Sequence, residues 1–259
     1  YGCTRALENG LNKREMGDGK VGVITASVAY EYAKEVFPEG TSFLKLGLTF
    51  PLPMDLIRDF ASKVEKLQIW NMRAPDCDLS GVAKAKTLKD LRLWGVNGAT
   101  NSAALANLTE LQKFTIASSY NEKKGDPFDM AAAKGWGKLK EMSISGTKVV
   151  NSGEMAGCTS LTKLTLIRVN KEGEPFSLAG VAKMPGLKSI TINDSQIANF
   201  EALAGCTELT TFEMKKAAGV TSLAPLKSLP NLKRVVVSKG AFPEAELGGF
   251  AQTVKVEQR

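Results

Sequence analysis

The sequence contains no histidine among its 259 residues, and its four cysteines are widely spaced. Histidine is the commonest zinc ligand and the usual general base near neutral pH, so its absence argues against both kinds of site. Cys3, Cys77, Cys158 and Cys206 show no C-x-x-C spacing, which argues against a zinc or iron–sulfur site built on thiolates. No G-x-S-x-G or G-x-x-x-x-G-K-[ST] motif is present. We therefore predict no metal site, no cofactor and no catalytic residue.

Long apolar runs are also missing, and without a stretch of about 18 apolar residues the sequence predicts no transmembrane helix. The net charge is +7, from 34 basic and 27 acidic residues that are interspersed along the chain. This distribution favours a solvated surface and a protein partner over nucleic acid. The chain begins at Tyr1 rather than Met. Its compartment is left open between the cytoplasm and, if an upstream signal was removed, the bacterial cell surface or secretion. The oligomeric state is left open too.

What the sequence does contain is an internal repeat. Pairs of apolar residues separated by one residue recur at intervals of 22 to 28 residues, and a weaker pair follows near the end of the chain. A period of this length is typical of stacked repeat architectures. The ten regular pairs begin at Val21, Leu44, Leu67, Leu91, Phe114, Met142, Leu164, Ile190, Phe212 and Val235.

From Val64 onward another apolar residue precedes each pair by three positions, which gives the pattern L-x-x-L-x-L. The segments "LTKLTLIRV", "LKSITINDSQI" and "LTTFEM" show this pattern, and residues 64–239 resemble the leucine-rich repeat proteins. The resemblance implies an α/β solenoid in which each repeat adds one strand to a continuous parallel sheet. Stacking is required because one repeat cannot bury its apolar side alone.

Two cysteines and two insertions fit into this repeat. Cys158 and Cys206 each lie three residues before the first leucine of their repeat, in a column otherwise filled by apolar residues. We interpret them as small buried side chains, not as a disulfide or a reactive pair. The two longest repeats carry extra residues at 118–129 and 169–176, which are rich in Gly, Pro and charge. We expect both insertions to form surface loops.

The first sixty residues are organised differently. "VGVIT" predicts a buried strand, and "ASVAYEYAKEVF" predicts a helix. "FLKLGLTF" predicts a second strand, "PLPMDLIRDFASKV" a helix opened by Pro53, and "EKLQIW" a third strand. Crossover helices imply parallel strands, so we expect these βαβ units to continue the sheet of the solenoid and to cap its end. We divide the chain into an N-terminal α/β segment (1–63), the solenoid (64–240) and a C-terminal cap (241–259).

Residues 12–67 also resemble part of a second family. The runs "YAKEVFP", "LKLG" and "PLP" are similar to the large subunit of indolepyruvate ferredoxin oxidoreductase, a thiamine-diphosphate-dependent 2-oxoacid enzyme. The resemblance ends near Ile69, and the family's ferredoxin-type cysteine cluster is absent from this chain. It implies an alternative function as a divergent or truncated subunit of such an oxidoreductase, and it assigns no catalytic residue.

We place the candidate binding surface on the concave face of the predicted sheet. Side chains alternate along a strand, so the residues between the ladder leucines point away from the core. Exposed tryptophans beside cations are typical of binding hot spots. We therefore predict a non-catalytic, protein-binding module and lean away from an enzyme. The candidate binding residues are Gln68, Trp70, Arg92, Trp94, Lys113 and Thr115.

Overall fold

The computed structural model describes residues 12–18, 20–26, 29–47, 54–70, 77–95, 99–118 and 127–259. Twelve of its strands belong to one sheet. In chain order they are β1 (Lys13–Glu15), β2 (Val21–Ala26), β3 (Ser42–Leu46), β4 (Lys66–Trp70), β5 (Asp90–Trp94), β6 (Lys113–Ala117), β7 (Glu141–Ser145), β8 (Lys163–Ile167), β9 (Ser189–Asn193), β10 (Thr211–Lys215), β11 (Arg234–Val237) and β12 (Lys255–Gln258).

The sheet is parallel except at its first strand. From β4 to β12 the strands lie side by side in chain order, in the register that the repeat predicts. Leu67, Leu91 and Phe114 lie directly opposite one another, and all three are fully buried. The predicted leucine-rich repeat solenoid with a continuous parallel sheet is therefore confirmed.

Short return segments form the wall opposite the sheet in the repeats. Each return segment begins after a turn that follows the strand of the main sheet. In three places the turns of neighbouring repeats pair through two-residue strands: Cys77–Asp78 with Ala99–Thr100, Phe128–Asp129 with Val149–Val150, and Phe176–Ser177 with Ile197–Ala198. The helices in chain order are α1 (Ala29–Val36), α2 (Met54–Ala61), the 3₁₀ helices Val82–Lys84, Ser102–Asn107, Met130–Gly135, Ser152–Gly157, Ala179–Lys183 and Phe200–Gly205, then α3 (Ala224–Lys227) and α4 (Glu244–Leu247).

One hydrophobic core runs through the solenoid, from Ile24 near one end to Leu247 near the other. Cys158 and Cys206 lie fully buried in it as free thiols, and burial raises the pKa of their thiol groups to about 12 and about 11. The interpretation of these cysteines as small core side chains is confirmed. Trp136 occupies the same column and is fully buried, and its indole N–H donates to the Leu105 carbonyl over 2.9 Å.

The N-terminal cap continues the sheet, as predicted, but it does not keep the strands in chain order. The order is β1-β3-β2-β4, so β2 pairs with both β3 and β4, and β1 adds an antiparallel edge strand that the sequence analysis did not predict. The chain thus moves away from the solenoid between β2 and β3 and returns towards it between β3 and β4. Because parallel crossovers are right-handed, the reversal places α1 and α2 on opposite faces of the sheet.

The two faces of the cap have separate clusters. Phe60 on α2 belongs to the main core, whereas Tyr30 on α1 packs with Val23 and Phe43 in a second cluster. The pair that begins at Val21 includes Val23, and its assignment to the core side of the repeat was wrong, because Ile24 belongs to the main core and Val23 to the second cluster. A strand buried on both faces is apolar throughout, so its sequence does not show which face belongs to the solenoid.

The predicted insertion at 169–176 is a surface loop: residues 171–175 are exposed, and buried Asn170 holds it through bonds to the backbone of Val149 and Glu174. Most of the other predicted loop, residues 119–126, lies outside the described residues.

At the C-terminus α4 and β12 extend the solenoid. The three-part division of the chain stays a prediction. Within the described ranges, no helix is long and apolar enough to cross a membrane.

Candidate functional site

The register of β4, β5 and β6 places the predicted binding residues on the concave face. Gln68, Arg92 and Thr115 lie opposite one another in one column. Trp70 and Trp94 are opposite each other in the next column, which continues to Ala117. The side chain of Trp70 lies outside what the structure describes, and Trp94 is half-buried.

A depression of about 300 Å³ lies on this face across β5 to β8. It brings together four of the six predicted residues, whereas Gln68 is not among its lining residues. Phe114 and Met142 also border the depression, although their side chains are buried in the core. The lining consists of Arg92, Trp94, Lys113, Phe114, Thr115, Glu141, Met142, Ser143, Lys163 and Thr165.

Two cations of the depression are held by carboxylates. Nε and Nη2 of Arg92 donate to the two carboxylate oxygens of Asp90, over 3.2 and 3.0 Å, and Asp90 is buried. Lys113 pairs with Glu141 over 2.7 Å. The hydrogen bond from Lys113 is the main cause that lowers the pKa of the Glu141 carboxyl, against the opposing effect of burial. Arg92 and Lys113 therefore each have a carboxylate partner within the site.

A row of hydroxyl side chains extends from the depression along the sheet. Thr115, Ser143, Thr165 and Thr191 lie opposite one another on β6 to β9. Each hydroxyl can donate and accept a hydrogen bond, so the row can pair with the polar groups of an extended partner. In the part of the chain that the structure describes, no group of three or more Cys, Asp or Glu residues could hold a metal ion.

Four polar residues of the site, namely Glu141, Ser143, Lys163 and Thr165, were not among the six predicted candidates. Glu141 and Ser143 lie on β7, at the same strand positions as Lys113 and Thr115 on β6. The alternation around the Met142 and Ile144 pair was the signal that could have found them. What alternation could not show is the pairing of Lys113 with Glu141, because that contact depends on side chains of adjacent strands.

Helix α1 closes the concave face at the N-terminal end. It covers β2 and β3 through the cluster of Val23, Tyr30 and Phe43, and the ammonium group of Lys45 lies 4.8 Å from the centre of the Tyr30 ring. Within the described residues, the open part of the concave face therefore begins at β4. The depression lies at the start of this open part, next to the covered end.

No family model and no curated protein sequence matches the chain. Among solved structures, internalin C2 from Listeria monocytogenes is similar, with 19% identity and a TM-score of 0.56, covering 77% of this chain and 81% of that one. An internalin (inlF) from the same species has 19% identity and a TM-score of 0.52 and covers 78% of this chain. The match spans 58% of the inlF chain.

Nothing in these comparisons supports the oxidoreductase resemblance. At this level of identity the similarity concerns the fold, and the chain has the leucine-rich repeat fold seen in internalins, with one long parallel sheet.

Proposed function

We propose that this chain is a non-catalytic protein-binding module whose partner contacts the concave face at the depression between β5 and β8. The observation that carries the proposal is the convergence of Arg92, Trp94, Lys113 and Thr115 around one concavity. The internalin-like fold supports a binding module of this kind.

The chemistry of the depression favours recognition of a protein. Tryptophan and arginine are the residue types most enriched in binding hot spots, and a surrounding ring of polar groups helps to exclude water from them. Arg92 is already oriented by its two bonds to Asp90, so less side-chain entropy is lost when a partner binds. The strands themselves form a rigid support for the site, unlike a loop.

The proposal is tested with peptides that are selected without any assumption about where on the surface they bind. Peptides are selected against the chain from a random display library, and the affinities of the selected peptides are measured for wild type and for Trp94→Ala. Loss of a hot-spot tryptophan should weaken most of them by about thirtyfold, the equivalent of about 2 kcal/mol. Val150→Ala is the matched control, because Val150 is an exposed apolar residue outside the depression.

Two results would contradict the proposal. One is that Trp94→Ala and Val150→Ala affect the selected peptides equally, which would place the preferred binding surface elsewhere. The other is a large fall in the melting temperature of Trp94→Ala, which would show that the indole serves packing. We expect the melting temperature of Trp94→Ala to stay close to that of wild type, since the ring is half-buried on the open face.

A further inference from the structure

The residues that immediately precede β7 to β11 form a second ordered surface, on the rim of the sheet. They alternate between lysine and threonine: Lys140, Thr162, Lys188, Thr210 and Lys233. A continuous chain of backbone hydrogen bonds of 2.8 to 2.9 Å links each residue to the next, so the five positions lie opposite one another across five neighbouring strands. Lys140, Lys188 and Lys233 are all exposed. We call these three residues the lysine row.

The threonine side chains between the lysines are short and bonded to the backbone, so they do not cover the lysines. The hydroxyl of Thr162 donates to the Lys140 carbonyl and that of Thr210 donates to the Lys188 carbonyl, both over 3.0 Å. These short side chains are thereby held against the backbone. Consecutive lysines of the row are separated by two strand spacings, which corresponds to about 9.4 to 9.8 Å.

Among the described residues, the three lysines of the row have no carboxylate partner, in contrast to other cations at this end of the strands. Elsewhere in the same column Lys89 pairs with Glu65 over 2.9 Å, and on β11 Arg234 pairs with Glu257 over 2.9 Å. Within the described ranges, no lysine of the row forms an ion pair with a carboxylate. Three cations at regular spacing on a chain of net charge +7 make an electrostatic match for a regularly spaced anion.

We propose that the lysine row binds an acidic peptide segment in the polyproline II conformation that carries a carboxylate at every third residue. Polyproline II has three residues per turn and a rise of about 3.1 Å, so side chains on one face recur about every 9.3 Å. That distance matches the separation of the lysines. In an extended strand, side chains on one face recur about every 6.6 to 6.8 Å, which does not match.

The composition of the row favours a peptide over a nucleic acid. None of the five positions carries an aromatic side chain on which a base could stack. The cations are lysines, which lack the planar fork that makes arginine suited to phosphate. The row is also separate from the depression, because none of its lysines is among the lining residues there. The inference therefore goes beyond the proposed function and can succeed or fail independently of it.

The experiment compares two peptides of identical composition. The peptide EPPEPPE carries glutamates at every third residue, and EEEPPPP carries them side by side. Binding to the full chain is measured by fluorescence anisotropy at low salt. We expect EPPEPPE to bind about fivefold more tightly, because only its three carboxylates reach three lysines at once. Raising the salt concentration to about 0.5 M should abolish the difference, since these charges are exposed to solvent.

Matched variants separate the row from general surface charge. Lys188→Gln should weaken binding of EPPEPPE about threefold. Lys183→Gln removes the same charge from an exposed position in the 3₁₀ helix Ala179–Lys183 and should have no effect. Trp94→Ala should leave EPPEPPE binding unchanged, so a failure of the row is distinguished from a failure of the depression.

Three outcomes would overturn the inference. Equal affinity for EPPEPPE and EEEPPPP would show that spacing is not recognised. Equal loss in Lys188→Gln and Lys183→Gln would reduce the row to ordinary surface charge. Tighter binding of a single-stranded oligothymidylate with the same net charge, weakened by Lys188→Gln alone, would assign the row to nucleic acid instead.

Discussion

The N-terminal cap and the repeats belong to one sheet, yet they bury it differently. Among the described residues of the repeats from β4 onward, short return segments cover one face of the sheet and leave the other open. In the cap α2 covers the core face and α1 covers the concave face, which gives the chain its second apolar cluster. The cap therefore ends the solenoid and also limits the open concave face.

The comparison shows that a similar spacing of strands supports two topologies. In the cap β3 pairs with β2 on the side away from the solenoid, and the crossover that contains α2 returns the chain so that β4 pairs with β2 rather than with β3. In the repeats each strand lies beside the previous one. The core column changes in composition at the same place. Leu67 of the first repeat is paired in register with Gly22 on β2, and Gly22 is paired with Ser42 on β3. The cap therefore has small residues where the repeats have large apolar ones. A Cβ on Gly22 would lie 2.9 Å from both the Phe60 ring and Val64, so the helix side of the cap already fills that space.

The largest expected effect concerns the close backbone packing of the return segments in the repeats. A Cβ on Gly135 would lie 1.7 Å from the Ala106 carbonyl oxygen, so Gly135→Ala should destabilise the chain by about 1–3 kcal/mol or more. Gly137→Ala is the control, because nothing lies within 4 Å of a Cβ there. Urea denaturation measures both variants. Equal midpoints would show that successive return segments are not in close backbone contact.

A smaller and local effect is expected in the cap. Val23→Ala removes two methyl groups from the cluster of Val23, Tyr30 and Phe43 and should lower the free energy of unfolding by about 1.5 kcal/mol. Since stacked repeats are stabilised by their neighbours, the loss should be confined to nearby elements. Native-state hydrogen exchange should show reduced protection in α1 and β3 and unchanged protection in β8 to β10. A loss of protection along the whole sheet would instead mean that the cap and the repeats unfold as one unit.

The smallest expected effect concerns the two ends of the sheet. Hydrogen bonds from Lys13 and Lys34 lower the pKa of Glu15 on β1 from 4.5 to about 2. Hydrogen bonds from Arg234 and Arg259 likewise lower the pKa of Glu257 on β12 to about 2. A carboxyl with a lowered folded-state pKa stabilises the fold above its unfolded pKa, and this contribution disappears as the pH falls towards the folded value.

Melting temperatures across the pH range check this expectation. At pH 7, Glu15→Gln should melt about 1–3 °C below wild type, since exposed pairs contribute little. The difference should shrink below pH 4.5, become small near pH 2, where the wild-type carboxyl is half protonated, and vanish at still lower pH. Glu257→Gln, at the opposite end, should behave in the same way. A difference as large at pH 2 as at pH 7 would mean that Glu15 acts through packing and not through charge.

The fold of the repeats and part of the site could be predicted because both follow from strand alternation. Once Leu91 and Leu93 are placed in the core, Arg92 and Trp94 must lie on the other face. Alternation does not predict which charges meet. The burial of Asp90 against Arg92 and the pairing of Lys113 with Glu141 depend on side-chain reach between and along strands. As a result the predicted cations of the site turned out to be paired.

The sequence by itself determined the repeat, the identity of the core ladder and the alternation that exposes Arg92 and Trp94, because these depend only on local periodicity and on the burial of apolar side chains. Only the tertiary structure decided the order of β2 and β3 and the face covered by α1. An apolar strand such as "VGVITA" fits equally well on either side of its neighbours. The direction and hand of the crossovers, which act over tens of residues, select one arrangement.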